Sequence, residues 1–169
     1  MESVLDRVIK QNTENVNLLK TKDYNIFSVL QIQSKEVLIC RMIADLLNPR
    51  GQHGAGAEYL KIFLRDCLGM EKMDTKLADQ AIVTAEYAID DERRIDIVIE
   101  IGSYFLPIEV KIYAADQKSQ CFDYYQYAKR RDAQAKVYYL TLDGHRPGKD
   151  STSSGNRSVT EEDIVCLSF

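Results

Sequence analysis

Two short stretches of the 169-residue chain combine carboxylates, a lysine and a strand-like pattern. They are Arg94-Ile95-Asp96-Ile97-Val98-Ile99-Glu100 and Pro107-Ile108-Glu109-Val110-Lys111. Alternation places Asp96 on one face of its strand. It places Glu109 and Lys111 together on one face of the next, roughly 6.6 Å apart. The opposite face of that second strand carries Ile108, Val110 and Ile112, which belong in a core. Burying Glu109 and Lys111 on the other face of such a core strand is costly unless they are paired or hold a metal. Two carboxylates from neighbouring strands suit Mg²⁺ or Mn²⁺, which take oxygen ligands and keep several waters. A lysine beside them could hold or polarise an attacking water. The same residues also fit a solvated Glu/Lys ladder pairing across strands, and the pattern alone leaves both readings open.

The [DE]xK spacing carries little information by itself. It recurs at Asp74-Thr75-Lys76 and Asp116-Gln117-Lys118, yet only Glu109 and Lys111 lie on a strand with an aspartate on the strand before. A helix expected over 114–131 adds a second pattern. Gln117, Gln120, Cys121, Tyr124 and Ala128 recur at helical spacing on one face. Glutamine and tyrosine on such a face suit hydrogen bonding to phosphate or bases and stacking on them. Packing of an aromatic-rich face against a sheet gives the same spacing.

The elements that must position these residues read as follows. Val4, Leu5, Val8 and Ile9 have helix spacing within a helical segment over 1–25, which ends in the polar stretch 15–25. A second helix is capped by Ser34, with Val37, Leu38, Met42, Ile43, Leu46 and Leu47 as its apolar side, and Asn48-Pro49 stops it. The connector Gly51 to Gly56 leads to a helix from about Ala57 to Leu68, with Leu60, Phe63, Leu64, Cys67 and Leu68 inward and Gly69 past its end. Residues 70–79 read as a loop. Strands are expected over 81–89, 94–101, 104–113, 136–142 and 164–169, with the helix 114–131 between the third and fourth. Residues 143–158 are rich in Asp, Gly, Ser and Asn and read as a long mobile loop. The order α-α-β-β-β-α-β-β predicts a mixed central β-sheet flanked by α-helices, in the α/β (α+β) class, as one domain over 1–169. The chain stops at its last strand, as a longer protein cut at that point would.

Composition narrows the classes. There are 22 Lys and Arg residues against 26 Asp and Glu, a formal net charge of −4. A passive nucleic-acid binder is usually basic, so attraction to a polyanion would need local charge or a metal. Nothing in the acidic balance favours an anionic membrane, and no apolar run approaches the ~18 residues of a span. Cys40, Cys67, Cys121 and Cys166 form no CxxC pair and read as four reduced core thiols in a cytoplasmic protein. There is no GxSxG, no GxxxxGK[ST] and no complete GxGxxG, so serine-hydrolase, P-loop and dinucleotide chemistry are not signalled. Glu86 and Glu100 are expected to pair with Arg93, Arg94 or lysines. His53 could approach the site or cap the next helix, and His145 is expected in solvent. Lys129-Arg130-Arg131 could steer a phosphate backbone or simply end a helix.

Taken together, these residues resemble the PD-(D/E)XK nuclease superfamily, with its restriction-endonuclease-like fold, in a prokaryotic branch of uncertain role. The resemblance rests on Glu36 in a helix ending Asp45-Leu46-Leu47-Asn48-Pro49, on His53-Gly54, on Arg94-Ile95-Asp96, on Glu109-Val110-Lys111-Ile112, and on Asp116-Gln117 with Gln120-Cys121-Phe122-Asp123-Tyr124. The proline before the motif aspartate is replaced by Ile95. The resemblance implies that Asp96, Glu109 and the Val110 carbonyl hold Mg²⁺ or Mn²⁺. It implies that Lys111 activates the attacking water and that Glu36 lies near the metal. Gln120 and Tyr124 would match a QxxxY pattern that supports the site or touches substrate, and Gln117, His53 and Arg94 are expected to join them as substrate-binding or supporting residues. The implied activity is metal-dependent hydrolysis of phosphodiester bonds in DNA rather than RNA, with no membrane partner and a homo-oligomer left open. The alternative is a module that keeps the nuclease fold, binds nucleic acid or protein, and has lost turnover.

Overall fold

The computed structural model describes residues 29–32, 34–71 and 73–169, so the helical segment expected over 1–25 lies outside the described residues. The first helix of the core, α1 (Glu36–Leu47), ends where Asn48 takes an extended conformation before Pro49, as the sequence predicts. Gly51 is required just beyond, because a Cβ there would lie 2.2 Å from the Asp45 carbonyl oxygen. Then α2 (Glu58–Ile62) runs into a π-helical turn, Phe63–Cys67. Gly69 closes it at φ +65°, and the Met70 N–H returns to the Leu64 carbonyl at 2.8 Å. The stretch 70–79, expected as a loop, contains the short α3 (Thr75–Ala78), whose first turn is fixed by the Asp74 carboxylate accepting the Lys76 N–H.

Five strands form the main sheet: β1 (Ile82–Ala88), β2 (Arg94–Ile101), β3 (Tyr104–Lys111), β4 (Val137–Thr141) and, at the far edge, β7 (Ile164–Ser168). Short turns join β1, β2 and β3, which pair antiparallel. The helix α4 (Gln120–Arg131) crosses over from β3 to β4, so that pair is parallel, as is β4 with β7. This is the expected mixed sheet with helices on both sides, and residues 34–169 form one compact unit. Among the described residues no helix is long and apolar enough to cross a membrane.

One core lies between the sheet and α1 and α2, centred on Cys40, Leu60, Ile97, Ile99, Ile108 and Val110. The other lies under α4, centred on Ile95, Val98, Phe105, Cys121, Tyr124 and Tyr139. Covering on both faces explains why β3 is buried from Phe105 to Lys111 and carries almost continuous apolar residues.

Several expectations change. The inward face of α1 is Ile39, Cys40, Ala44 and Leu47, whereas Val37, Leu38, Met42 and Leu46 are exposed. Apolar residues surround this helix, so periodicity leaves its orientation open; Cys40 and Ala44 are small enough for close approach to the sheet. Ser34 makes no capping bond, and the residue before the helix is Lys35. The helix α4 begins at Gln120 rather than Ala114, because Ser119 takes a left-handed conformation at φ +57°. Cys67 is exposed and Cys166 only partly buried, which leaves two of the four free thiols in the core. The stretch 143–158, expected as a loop, contains α5 (Lys149–Thr152) and a hairpin of β5 (Ser153–Ser154) with β6 (Arg157–Ser158). Ser151 is buried there, with its Oγ accepting the Cys121 N–H at 3.3 Å.

Candidate active site

The β2 and β3 strands separate where the site lies. Their last pairing is Ile97 with Ile108. Beyond it, Asp96 Oδ2 accepts the Val110 N–H at 2.8 Å, so a side chain takes the place of a ladder bond. Glu109 faces this gap and is only 1% exposed. Lys111 Nζ lies 2.6 Å from Glu109 Oε1 as a buried ion pair, and neither Glu109 oxygen accepts an oriented donor. A carboxylate this deeply buried, with one ammonium beside it and no oriented hydrogen bond, is expensive in a finished core.

The electrostatics follow from this burial. Desolvation, then the nearby Asp96 charge, pushes the Glu109 carboxyl up to about 8 despite Lys111. Burial also raises Asp96, with the Val110 N–H and Lys111 opposing it. Burial would lower the Lys111 ammonium, but Glu109 above all, with Asp96 and Glu36, outweighs it and the net shift is upward. The trio is therefore one coupled charge system and not a solvated ladder.

Glu36, the first residue of α1, reaches the backbone just past β3. Its Oε1 accepts the N–H groups of Ile112, Tyr113 and Ala114 at 2.7, 3.0 and 3.0 Å. Burial would raise this carboxyl; the three N–H donors and Lys111 hold it below its ordinary value. Glu36 thus fixes the exit of the strand that carries Glu109 and Lys111, and its charge is felt by both Asp96 and Lys111.

Under the other face of the gap, α4 supplies Gln120 and Tyr124, both buried. Gln120 Nε2 donates to Tyr124 Oη at 3.1 Å, and the Tyr124 hydroxyl donates to the Arg94 carbonyl. The QxxxY pair therefore pins the start of β2, two residues from Asp96. Gln117 precedes the helix rather than sharing its face. It is exposed, its N–H donates to Gln120 Oε1 at 3.4 Å, and its Oε1 accepts from Arg93 at 2.9 Å. The Arg94 side chain is exposed, and its carbonyl makes the contact to the site.

His53 does not join the site. Its Nε2 meets the Asn48 carbonyl at 3.1 Å, its Nδ1 accepts the Ala55 N–H, and its ring stands edge-on to Tyr59. It sits at the C-terminal end of α1, about 17 Å of helix from Glu36. Glu86 pairs with Arg41 and Glu100 with Arg131 rather than with Arg93 or Arg94. His145 is exposed, as expected, with Nδ1 against Asp143. The basic run Lys129 to Arg131 closes the far end of α4, where Lys129 and Arg131 meet Asp163 and Glu100.

Sequence reasoning missed Arg93 and Asp116. Arg93 clamps Gln117, the Lys118 carbonyl and Asp123. Asp116 accepts from Tyr139 Oη and the Gly148 N–H, both at 2.7 Å. Both order the segment entering α4. Arg93 sits beside the motif and Asp116 in the resemblance, but neither has a periodic signal of its contacts.

The donor set suits a small hard cation. Asp96 and Glu109 are oxygen donors, and the Glu109 oxygens, which accept no oriented hydrogen bond, are what such an ion would meet. Among the described residues no group of three His, Cys, Asp or Glu side chains is gathered. No curated protein and no solved structure matches the chain. A family model described as the PD-(D/E)XK nuclease superfamily matches residues 24–165, which takes in Glu36, Asp96, Glu109, Lys111 and the Gln120–Tyr124 pair. With its mixed sheet splayed at an aspartate and a buried Glu-Val-Lys beside it, the chain belongs to the PD-(D/E)XK nuclease superfamily and has the restriction-endonuclease-like fold.

Proposed function

We propose that the protein is a divalent-metal-dependent nuclease that hydrolyses phosphodiester bonds, with DNA as the favoured substrate. The observation that carries this reading is Glu109, a carboxylate 1% exposed with neither oxygen accepting an oriented bond. Asp96 and Glu109, with the Val110 carbonyl, are the residues that would hold Mg²⁺ or Mn²⁺. The ion would supply the charge that activates a water and stabilises the phosphate as negative charge builds on its oxygens. Lys111 Nζ orients the attacking water and balances Glu109 before the ion arrives. Glu36 keeps Lys111 in register, while Gln120 and Tyr124 hold the start of β2. An acidic chain then needs no basic surface at the reacting phosphate, because the ion supplies the positive charge there.

The test is cleavage of single-stranded, duplex and supercoiled DNA and of RNA, with Mg²⁺, Mn²⁺ or EDTA, beside Asp96→Ala and Lys111→Ala. Metal-dependent cutting that both substitutions abolish supports the nuclease and identifies its substrate. Absence of both cutting and Mn²⁺ binding would overturn it in favour of a binding module.

A further inference from the structure

The β1–β2 hairpin changes face at a single point. Val83 and Ala85 pack in the core under α1, yet Tyr87 and Ile89 pack in the core under α4. Residues two apart in an undistorted strand point the same way, so alternation breaks at Glu86. On β2, Ile97, Ile99 and Ile101 pack under α1 while Ile95 packs under α4, so alternation breaks at Asp96. Ala85 faces Ile97 and Tyr87 faces Ile95. Glu86 and Asp96 are therefore opposite one another, and the distortion inserts no residue.

The backbone shows the cause. Glu86 has φ +53°, in the left-handed region that side-chain-bearing residues rarely adopt. Its carboxylate is gripped from α1: Glu86 Oε2 accepts from Arg41 Nη2 at 2.6 Å and from Arg41 Nε at 3.1 Å. Strain of this kind persists only where the surroundings impose it, and it collects beside functional sites. Here it sits across the strand pair from the acidic residue that leaves the ladder for the Val110 N–H.

We propose that Glu86, held left-handed by Arg41, is a positioning residue for Asp96; this rests on the reading of Asp96 and Glu109 as the metal-holding pair. The half-turn at Glu86 carries Ile95 across to the α4 core. With Ile95 and Ile97 on opposite faces, Asp96 between them projects along the sheet toward Val110 instead of out of it. A relaxed, extended Glu86 would restore alternation, return Ile95 to the α1 side and rotate the Asp96 carboxylate away from Glu109.

The test compares Mn²⁺ affinity by calorimetry with Tm in wild type, Glu86→Gly, Glu86→Val, Arg41→Ala and the Arg41→Ala/Glu86→Gly double variant. Glycine takes positive φ freely, so Glu86→Gly is expected to bind Mn²⁺ as wild type does although its ion pair is gone. Valine is β-branched and resists that conformation, so Glu86→Val is expected to bind roughly tenfold more weakly or worse, the usual cost of losing a supporting residue. Arg41→Ala is expected to weaken binding several-fold, and adding Glu86→Gly to restore it. A merely structural ion pair would lower Tm equally in Arg41→Ala and Glu86→Gly and leave Mn²⁺ affinity alone. The proposal is overturned if folded Glu86→Val binds like wild type, or if Glu86→Gly weakens binding as much as Arg41→Ala does. Should Glu86→Val not fold, the comparison of Arg41→Ala with Glu86→Gly decides alone. Failure of the wild type to bind Mn²⁺ would overturn the metal-site reading itself, and the positioning role with it.

Discussion

Asp96 Oδ2 accepts the Val110 N–H at 2.8 Å, a bond that joins the second strand of the sheet to the third through a side chain. One carboxylate thereby closes the ladder where the strands part and offers its other oxygen to the gap. The two duties separate by substitution. Asp96→Ala leaves the Val110 N–H without its acceptor, a cost of about 1–3 kcal/mol, and Tm is expected to fall by a few degrees up to about 10 °C. Asp96→Asn keeps an acceptor and is expected to lose little Tm. Both are expected to lose Mn²⁺ binding and cleavage, as calorimetry and a gel assay would read. An Asp96→Asn protein that still cleaves would remove Asp96 from the proposed metal-holding pair.

Glu109 gives a prediction of opposite sign for stability. Its carboxyl is raised from an ordinary value of 4.5 to about 8 by burial and by Asp96. A raised carboxyl binds its proton more tightly folded than unfolded, so its contribution to stability is full below about pH 4.5 and declines as pH rises toward 8. The metal-free protein is expected to lose Tm across that window, and Glu109→Gln to lose less. The Tm of Glu109→Gln relative to wild type should therefore rise between pH 5 and pH 8, on top of whatever the variant loses by leaving Lys111 without its carboxylate. Mn²⁺ affinity of the wild type should rise with pH over the same range, because the ion displaces the proton. Scanning calorimetry at a series of pH values checks all three; a Tm difference between Glu109→Gln and wild type that stays constant from pH 5 to pH 8 would mean that the carboxyl does not titrate in this window.

What the sequence made legible, and what it hid, divides along physical lines. Period-two alternation in Arg94 to Ile101 and Ile108 to Ile112 reads directly as neighbouring strands, and it brought Asp96, Glu109 and Lys111 together. Alternation says nothing of where it breaks. The break at Glu86 carries no glycine, the usual mark of positive φ, so neither the twist of Asp96 nor the part played by Arg41 had a local signature. The orientation of α1 was hidden for a different reason. Val37, Leu38, Met42 and Leu46 are apolar but exposed, while Cys40 and Ala44 face the sheet because they are small. The start of α4 was hidden because Asp116 to Ser119 have helix-compatible residues whose backbone is held otherwise by Arg93 and Asp150, while the Gly148 N–H fixes the Asp116 carboxylate.

Glu36 is expected to behave as an acid-sensitive clasp. Although burial opposes it, three backbone N–H groups hold its carboxyl below its ordinary value of 4.5. A depressed carboxyl contributes stability that is present above the unfolded value and is lost as pH falls through the folded one. Glu36→Gln keeps an acceptor oxygen but no charge, and it is expected to melt about 2–4 °C lower at pH 7, near 1 kcal/mol at this chain length. The difference should shrink toward pH 3. Equal Tm values for the two proteins at pH 7 would show that the charge adds nothing to the clasp.

Tyr124 separates support of the site from contact with substrate. Its hydroxyl accepts from the buried Gln120 and donates to the Arg94 carbonyl. Tyr124→Phe preserves the ring packed among Ile95, Phe105 and Tyr139 and deletes both bonds. The buried Gln120 amide and the part-buried Arg94 carbonyl are then left without this partner, at about 1–3 kcal/mol in all. The start of β2 loosens two residues from Asp96, so Mn²⁺ affinity is expected to fall roughly tenfold, as when a group behind a metal ligand is removed. Because the hydroxyl is turned to the backbone rather than to solvent, KM for an oligonucleotide should change little at saturating Mn²⁺. A Tyr124→Phe enzyme with normal Mn²⁺ affinity but a KM raised tenfold would instead place this hydroxyl against the substrate.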